Sequence, residues 1–266
     1  MQERYERYEE LIRQFNLLDD DFMKKCFENG TSCIQLILRI ILKQPKLTLV
    51  SSHGQHYIKN LWGRSIQADI YAQDTSGNIY DVEVQKDNKG ADAKRARYNS
   101  SLIDANIFDK GCEPLDLPES YVIFVTKNDV LKGSCPVYHV ERCVRELGSD
   151  FNDCQHIIYV NAGYEDDTTP LGRLMHDFRC KDASEMYYKE LAERVRYLKE
   201  TREGVNDMCK IMEDLREEGR LVGRAEVREE TAVQMLRDGV LPYDKIALYA
   251  GISLERVMIL GKEMIA

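Results

Sequence analysis

Three polar residues of the segment RSIQADIYAQDTSGNIYDVEVQKDNKG, residues 64–90, have the types and spacing to do metal-assisted chemistry: Asp69, Glu83 and Gln85. Side chains alternate along a strand with period two, so in NIYDVEVQ the residues Tyr80, Val82 and Val84 take one face and Asp81, Glu83 and Gln85 the other. Asp69 lies between Ala68 and Ile70 and points opposite to Ile66, Ala68 and Ile70. The stretch Asp74-Thr75-Ser76-Gly77-Asn78 has turn composition and joins the two runs as a hairpin, which sets Asp69, Glu83 and Gln85 on one face. Neighbouring carboxylates repel, and a hard divalent cation between them removes that cost. Mg²⁺ takes one or two protein carboxylates, with water and substrate phosphate completing its shell, and serves as Lewis acid and activator of water. Gln85 would orient the attacking water or touch the phosphate. The same spacing also fits an exposed hairpin face whose polar residues are solvated, and Asp81 reads as a solvated residue at the start of its strand.

The elements that must position these residues follow from periodicity. Tyr5, Tyr8, Leu11, Ile12 and Phe15 recur at helical spacing; Asp19 to Asp21 offer an N-cap before Phe22, Met23, Cys26 and Phe27; a third apolar helix runs over residues 32–43 and ends near Pro45. Residues 47–85 change to short β-like runs, with His53-Gly54 read as a break. Residues 90–109 return to a helix, a breaker cluster fills 111–118, and strands are expected at 121–126, 137–141 and 155–160. From Leu171 the chain is nearly all helical, with an apolar stripe from Leu191 to Leu215, a bend at Gly204 and two or three short helices over 231–266. Helices flanking consecutive strands read as α/β or α+β, with one domain over 1–180 and a helical extension over 181–266.

Charge and composition narrow the partners. The 266 residues carry 37 Lys and Arg against 46 Asp and Glu, a net charge of -9, with an acidic excess of six up to residue 180 and three after it. A whole-surface positive field that collects nucleic acid is excluded, and a local site is not. The longest apolar run, 33–42, is broken by Gln35 and Arg39, so no membrane span is expected. Eight scattered cysteines without a C-x-x-C pair, and a charged N-terminus, place the chain in the cytoplasm with its thiols reduced. His53 and His56, three apart in a β-like region, are not expected to share a face, and no histidine joins a metal cluster. Phosphate-loop, serine-hydrolase and zinc-protease motifs do not occur.

Asp69, then Glu83-Val84-Gln85, then a helix with Lys94, Arg97 and Tyr98, resembles the PD-(D/E)XK nuclease superfamily. More specifically it resembles the branch of PD-(D/E)XK nuclease family transposases, or recombination-promoting nucleases, which has Glu-x-Gln where other members have Glu-x-Lys. The segment DDDFMKKCFENG, residues 19–30, is similar to that branch's opening signature, and the likeness is strongest over residues 19–180. The resemblance implies an α/β fold with a restriction-endonuclease-like central mixed sheet flanked by helices, and cleavage of DNA with Mg²⁺, or Mn²⁺ in its place. Asp69 and Glu83 would be metal ligands with the Val84 carbonyl as a third, Gln85 would stand at the lysine position, and Glu28 would contact a metal-bound water. A neutral amide at residue 85 cannot supply positive charge to the reacting phosphate, which points to slow or absent turnover. Within the basic stretch Lys86, Lys89, Lys94, Arg95 and Arg97, the i, i+3 pair Lys94 and Arg97 is the preferred contact to the DNA backbone; a solvated helix face is the alternative. The tail VLPYDKIALYAGISLERVMILGKEM resembles a helix-turn-helix, with Ala247, Gly251 and Val257 at its small, turn and apolar positions. Its second helix is mostly apolar, which favours packing or homo-oligomerisation over base readout.

Overall fold

The computed structural model describes residues 2–28, 30–61, 63–86, 90–108, 111 and 113–264. Two compact units divide at Met208 and Cys209. In the first unit, helices α1 (Gln2–Gln14), α2 (Asp20–Phe27) and α3 (Thr31–Ile41) precede strands β1 (Leu49–Ile58), β2 (Ile66–Asp74) and β3 (Ile79–Gln85). Helix α4 (Ala93–Ile107) leads to β4 (Ser120–Thr126), β5 (Val137–Val140), a two-stranded ribbon of β6 (Cys143–Val144) and β7 (Ser149–Asp150), and β8 (Gln155–Asn161). Helices α5 (Pro170–Arg179) and α6 (Lys189–Glu200) follow, and α7 (Arg202–Asp238) begins in this unit.

The main sheet is mixed and six-stranded, in the order β1-β2-β3-β4-β8-β5. Its outer pairs are antiparallel, whereas β3, β4 and β8 run parallel. Parallel strands are covered on both faces, and every residue of β4 is buried accordingly. On one face Ala96, Leu102 and Ile103 of α4 pack with Ile79, Val122, Phe124 and Tyr159. The other face carries Ala68, Ile70, Tyr80 and Val82, all buried, beneath a layer of α2 and α3 whose Phe22, Phe27, Ile34 and Ile37 are buried too.

Four expectations are corrected. His53-Gly54 does not interrupt the β-structure, since β1 is continuous through it and pairs with β2 on both sides. Inside that strand Gln55 takes a left-handed φ of 55°, which breaks the alternation, so the His53 and His56 rings lie 5.8 Å apart and do share a surface. The helical extension expected from residue 181 begins later, because Leu191, Ala192, Val195 and Leu198 of α6 are buried and α6 packs on α1, α2 and α3. The break expected at Gly204 falls at Thr201, the C-cap of α6.

Gly204 has a different task, inside the first turn of α7. A Cβ there would lie 2.2 Å from the Tyr197 carbonyl oxygen and 2.7 Å from the Leu198 Cα. Gly204→Ala is expected to destabilise the chain by about 2 kcal/mol or more, as overpacking against backbone does. Gly219→Ala, in open space on the same helix, is expected to stabilise by roughly 0.5 to 1 kcal/mol. Thermal unfolding followed by circular dichroism checks the pair, and equal shifts in the two variants would contradict the close approach.

The second unit holds the rest of α7, then α8 (Tyr243–Ala250) and α9 (Leu254–Glu263). Ala232, Ile246, Ala247, Ala250, Val257 and Leu260 form its core. Gly251, at φ 67°, turns the chain between α8 and α9. Arg256, the basic residue on α9 nearest that turn, is held in two hydrogen bonds by Glu229 of α7. Among the described residues no helix is long and apolar enough to cross a membrane, and no disulfide joins the described cysteines.

Candidate functional site

The β2–β3 hairpin is set by Asp74. Its carboxylate accepts hydrogen bonds from the Ser76 and Asn78 backbone N–H groups at 2.8 and 2.9 Å and from the Tyr80 hydroxyl at 2.7 Å, while Gly77 takes a φ of 89° that few other residues adopt. The resulting register pairs Ile70 with Val82 and Tyr71 with Asp81. Continued by one residue, it sets Asp69 opposite Glu83. Asp69, Asp81 and Glu83 thus project from one face, the face that α4 covers.

That face is not a solvated hairpin surface. Glu83 is 1% exposed and Asp81 is fully buried, so the reading of Asp81 as a solvated strand-start residue is corrected: α4 and β4 close over it. Asn99 of α4 donates from Nδ2 to Asp81 Oδ2 at 3.1 Å and to Glu83 Oε1 at 3.5 Å. Asp69 Oδ2 accepts from the Val84 N–H at 3.0 Å, so Val84 meets the site through its N–H as well as carrying the carbonyl expected to serve. Gln85 Nε2 donates to Glu83 Oε2 at 3.3 Å, and the Arg95 guanidinium makes an ion pair with the same oxygen. Gly90 fits alongside both, since a Cβ there would run into the Gln85 amide and lie 3.1 Å from Arg95 Nη1.

The electrostatics follow from burial. Desolvation pushes the Asp69 carboxyl up to about 6, opposed by the Val84 N–H, and the Asp81 carboxyl up to about 7, opposed by Asn99. Glu83 is raised by burial first and then by the charges of Asp81 and Asp69, against which Arg95 pulls it down. Three buried carboxyls whose charges act on one another cannot all be ionised comfortably, and the trio is short of positive charge.

Three of the expected residues are exposed. Glu28, at the C-cap of α2, is exposed and bonded to Lys25 at 2.6 Å, because the end of the helix turns its side chain toward solvent. The α2 carboxylate whose charge acts on both Asp69 and Glu83 is Asp20, itself exposed and bonded to Lys24 at 2.7 Å. Lys94 and Arg97 are exposed on α4, and Lys89 lies outside the described residues. Lys94 lines a cavity of about 600 Å³ between α4 and β2, together with Arg64, Gln67, Arg95, Tyr98 and Asn99; Arg97 is not part of that lining.

Arg95 and Asn99 were not singled out from the sequence, yet a signal exists. Ala96, Asn99, Ser100 and Ile103 recur at helical spacing as the buried face of α4, and a polar Asn99 in such a row marks where the helix meets polar partners.

The donor set is all oxygen, two carboxylates and an amide, which suits Mg²⁺ or Mn²⁺ rather than a soft metal. Among the described residues no three His, Cys, Asp or Glu side chains are arranged to hold a metal ion by themselves. The Oδ1 atom of Asp81 is buried without a hydrogen-bond partner, a further sign of unneutralised acceptor oxygens under the site. Comparison with protein-family models, curated proteins and solved structures gives no match to this chain.

Proposed function

We propose that the chain is a Mg²⁺-dependent DNA endonuclease of the PD-(D/E)XK type, with a restriction-endonuclease-like sheet. The observation that carries this reading is the placement of Asp69 and Glu83 abreast on adjacent strands of one buried face, beside Gln85 and backed by Asp81. Asp69 and Glu83 would hold the metal, which when bound polarises the phosphodiester and activates water. The Val84 N–H fixes one oxygen of Asp69, so the other is aimed by a backbone contact rather than by a flexible side chain. Gln85, held by Glu83, orients the water or phosphate. Lys94 and Arg64, which make no ion pair among the described residues, offer contacts to the backbone of DNA along the α4 cavity.

Nicking of supercoiled plasmid by the full chain with Mg²⁺ or Mn²⁺, and its loss in EDTA, is the test. DNA binding without cleavage under either metal would favour a second reading, a DNA-binding accessory protein that keeps the fold; the neutral Gln85 at the lysine position favours it. Absence of both would reject the two readings in favour of a scaffold acting through its helical tail.

A further inference from the structure

We infer that Arg95 is the cation of this site in both of its states: it neutralises Glu83 when no metal is bound, and turns to the scissile phosphate of DNA when a divalent cation takes that carboxylate. The inference rests on the nuclease reading and concerns a residue that this reading leaves unused.

The guanidinium contacts Glu83 Oε2, one of the oxygens a metal would need. Glu83 is almost wholly buried while the Arg95 side chain is 37% exposed, so one partner is fixed and the other has room to leave. The room lies beside it: Arg95 is also on the wall of the cavity shared with Arg64, Lys94 and Tyr98. Asp92, the acidic residue of that lining, accepts from the Lys94 and Arg95 backbone N–H groups as the N-cap of α4 and anchors the start of the helix under the guanidinium. Gly90 leaves space for the Gln85 amide and the guanidinium side by side, the two groups that together replace one lysine. A planar guanidinium suits a phosphodiester because it offers paired N–H donors, and removal of one such donor from a transition-state site costs about 10²- to 10³-fold in rate.

Reaction of Arg95 with phenylglyoxal, followed by peptide mass spectrometry on the full chain, reads the exchange without reference to cleavage, and calorimetry with Mg²⁺ is run in parallel. Arg95 is expected to react slowly without metal, severalfold faster with saturating Mg²⁺, and fast with or without metal in Glu83→Gln; Arg142, paired with Asp153 far along the chain, is the internal control. If Mg²⁺ binds and Arg95 stays equally protected, the inference is overturned and the nuclease reading stands. If calorimetry detects no Mg²⁺ binding, both fall. Arg95→Met is expected to lower kcat about a hundredfold at saturating Mg²⁺, with Arg95→Lys recovering part of it; wild-type turnover in Arg95→Met would overturn the phosphate contact.

Discussion

In a plasmid-nicking assay with Mg²⁺, Asp69→Ala and Glu83→Ala are each expected to lower the rate by about a thousandfold or more. A metal supplies several kcal/mol of charge stabilisation, and each 1.36 kcal/mol is a factor of ten. Neither loss should come from unfolding, because both substitutions remove a carboxyl whose burial is already costly. Asp69→Asn and Glu83→Gln keep the shapes and the hydrogen-bonding oxygen, and are expected to be as inactive while folding normally. Glu28→Ala supplies the contrast. Its carboxylate is exposed and engaged by Lys25, so nicking within a few-fold of wild type is expected. A Glu28→Ala variant as dead as Asp69→Ala would restore the helix glutamate to the chemistry, and full activity in Asp69→Ala would remove the metal assignment altogether.

The second large effect is on stability and its dependence on pH. An unfolded aspartate titrates near its ordinary value, about 3.9, whereas folded Asp81 is pushed up to about 7 by burial. Between these values the folded chain keeps a proton that the unfolded chain has released. Stability therefore falls as pH rises through that window and levels off above it. Asp81→Asn retains an oxygen for Asn99 but has no charge to desolvate. It is expected to match wild type near pH 3.5 and to exceed it by on the order of 2 kcal/mol at pH 8, the difference opening between pH 4 and 7. Urea denaturation at several pH values measures this. A wild type that gains on Asp81→Asn as pH rises would mean that Asp81 is held ionised. Saturating Mg²⁺ is expected to narrow the gap, since a bound cation offsets the same repulsion.

Much of the hairpin was legible because its determinants are local. Period-two alternation across Tyr80 to Gln85 and the turn residues Asp74 to Asn78 are enough to bring Asp69 and Glu83 to one face, and the structure places them so. What was not legible depends on partners distant in the chain. Asp81 has the local pattern of a solvated residue, and only α4 and β4, arriving from residues 93–126, bury it. On α4, the i, i+3 spacing of Lys94 and Arg97 marks a shared helix face but not which face meets the site; the rotation of the helix about its axis gives Arg95 to the carboxylates, and that rotation is set by Ala96 and Ile103 packing on the sheet. The end of the first unit was placed too early because α6 is amphipathic whether its apolar stripe meets a core or another chain, and here it meets α1, α2 and α3. The strand through Gly54 was hidden by a residue that reads as a breaker but sits against the Glu28 and Asp69 backbones.

The mixed sheet also sets an order of events. Strands β2 and β3 pair across a short turn, whereas β3 with β4 joins residues 79–85 to 120–126, and β4 with β8 reaches on to 155–161. Sequence-distant pairings form slowly because a long loop must close first. Asp69 and Glu83 therefore come abreast in a hairpin still surrounded by water, and lose that water only when α4 and β4 dock. On that order the charges are dehydrated late, and stopped-flow refolding is expected to run faster at pH 5, where the carboxyls take up protons more readily as they lose water, than at pH 8. Equal rates would place their burial after the rate-limiting barrier.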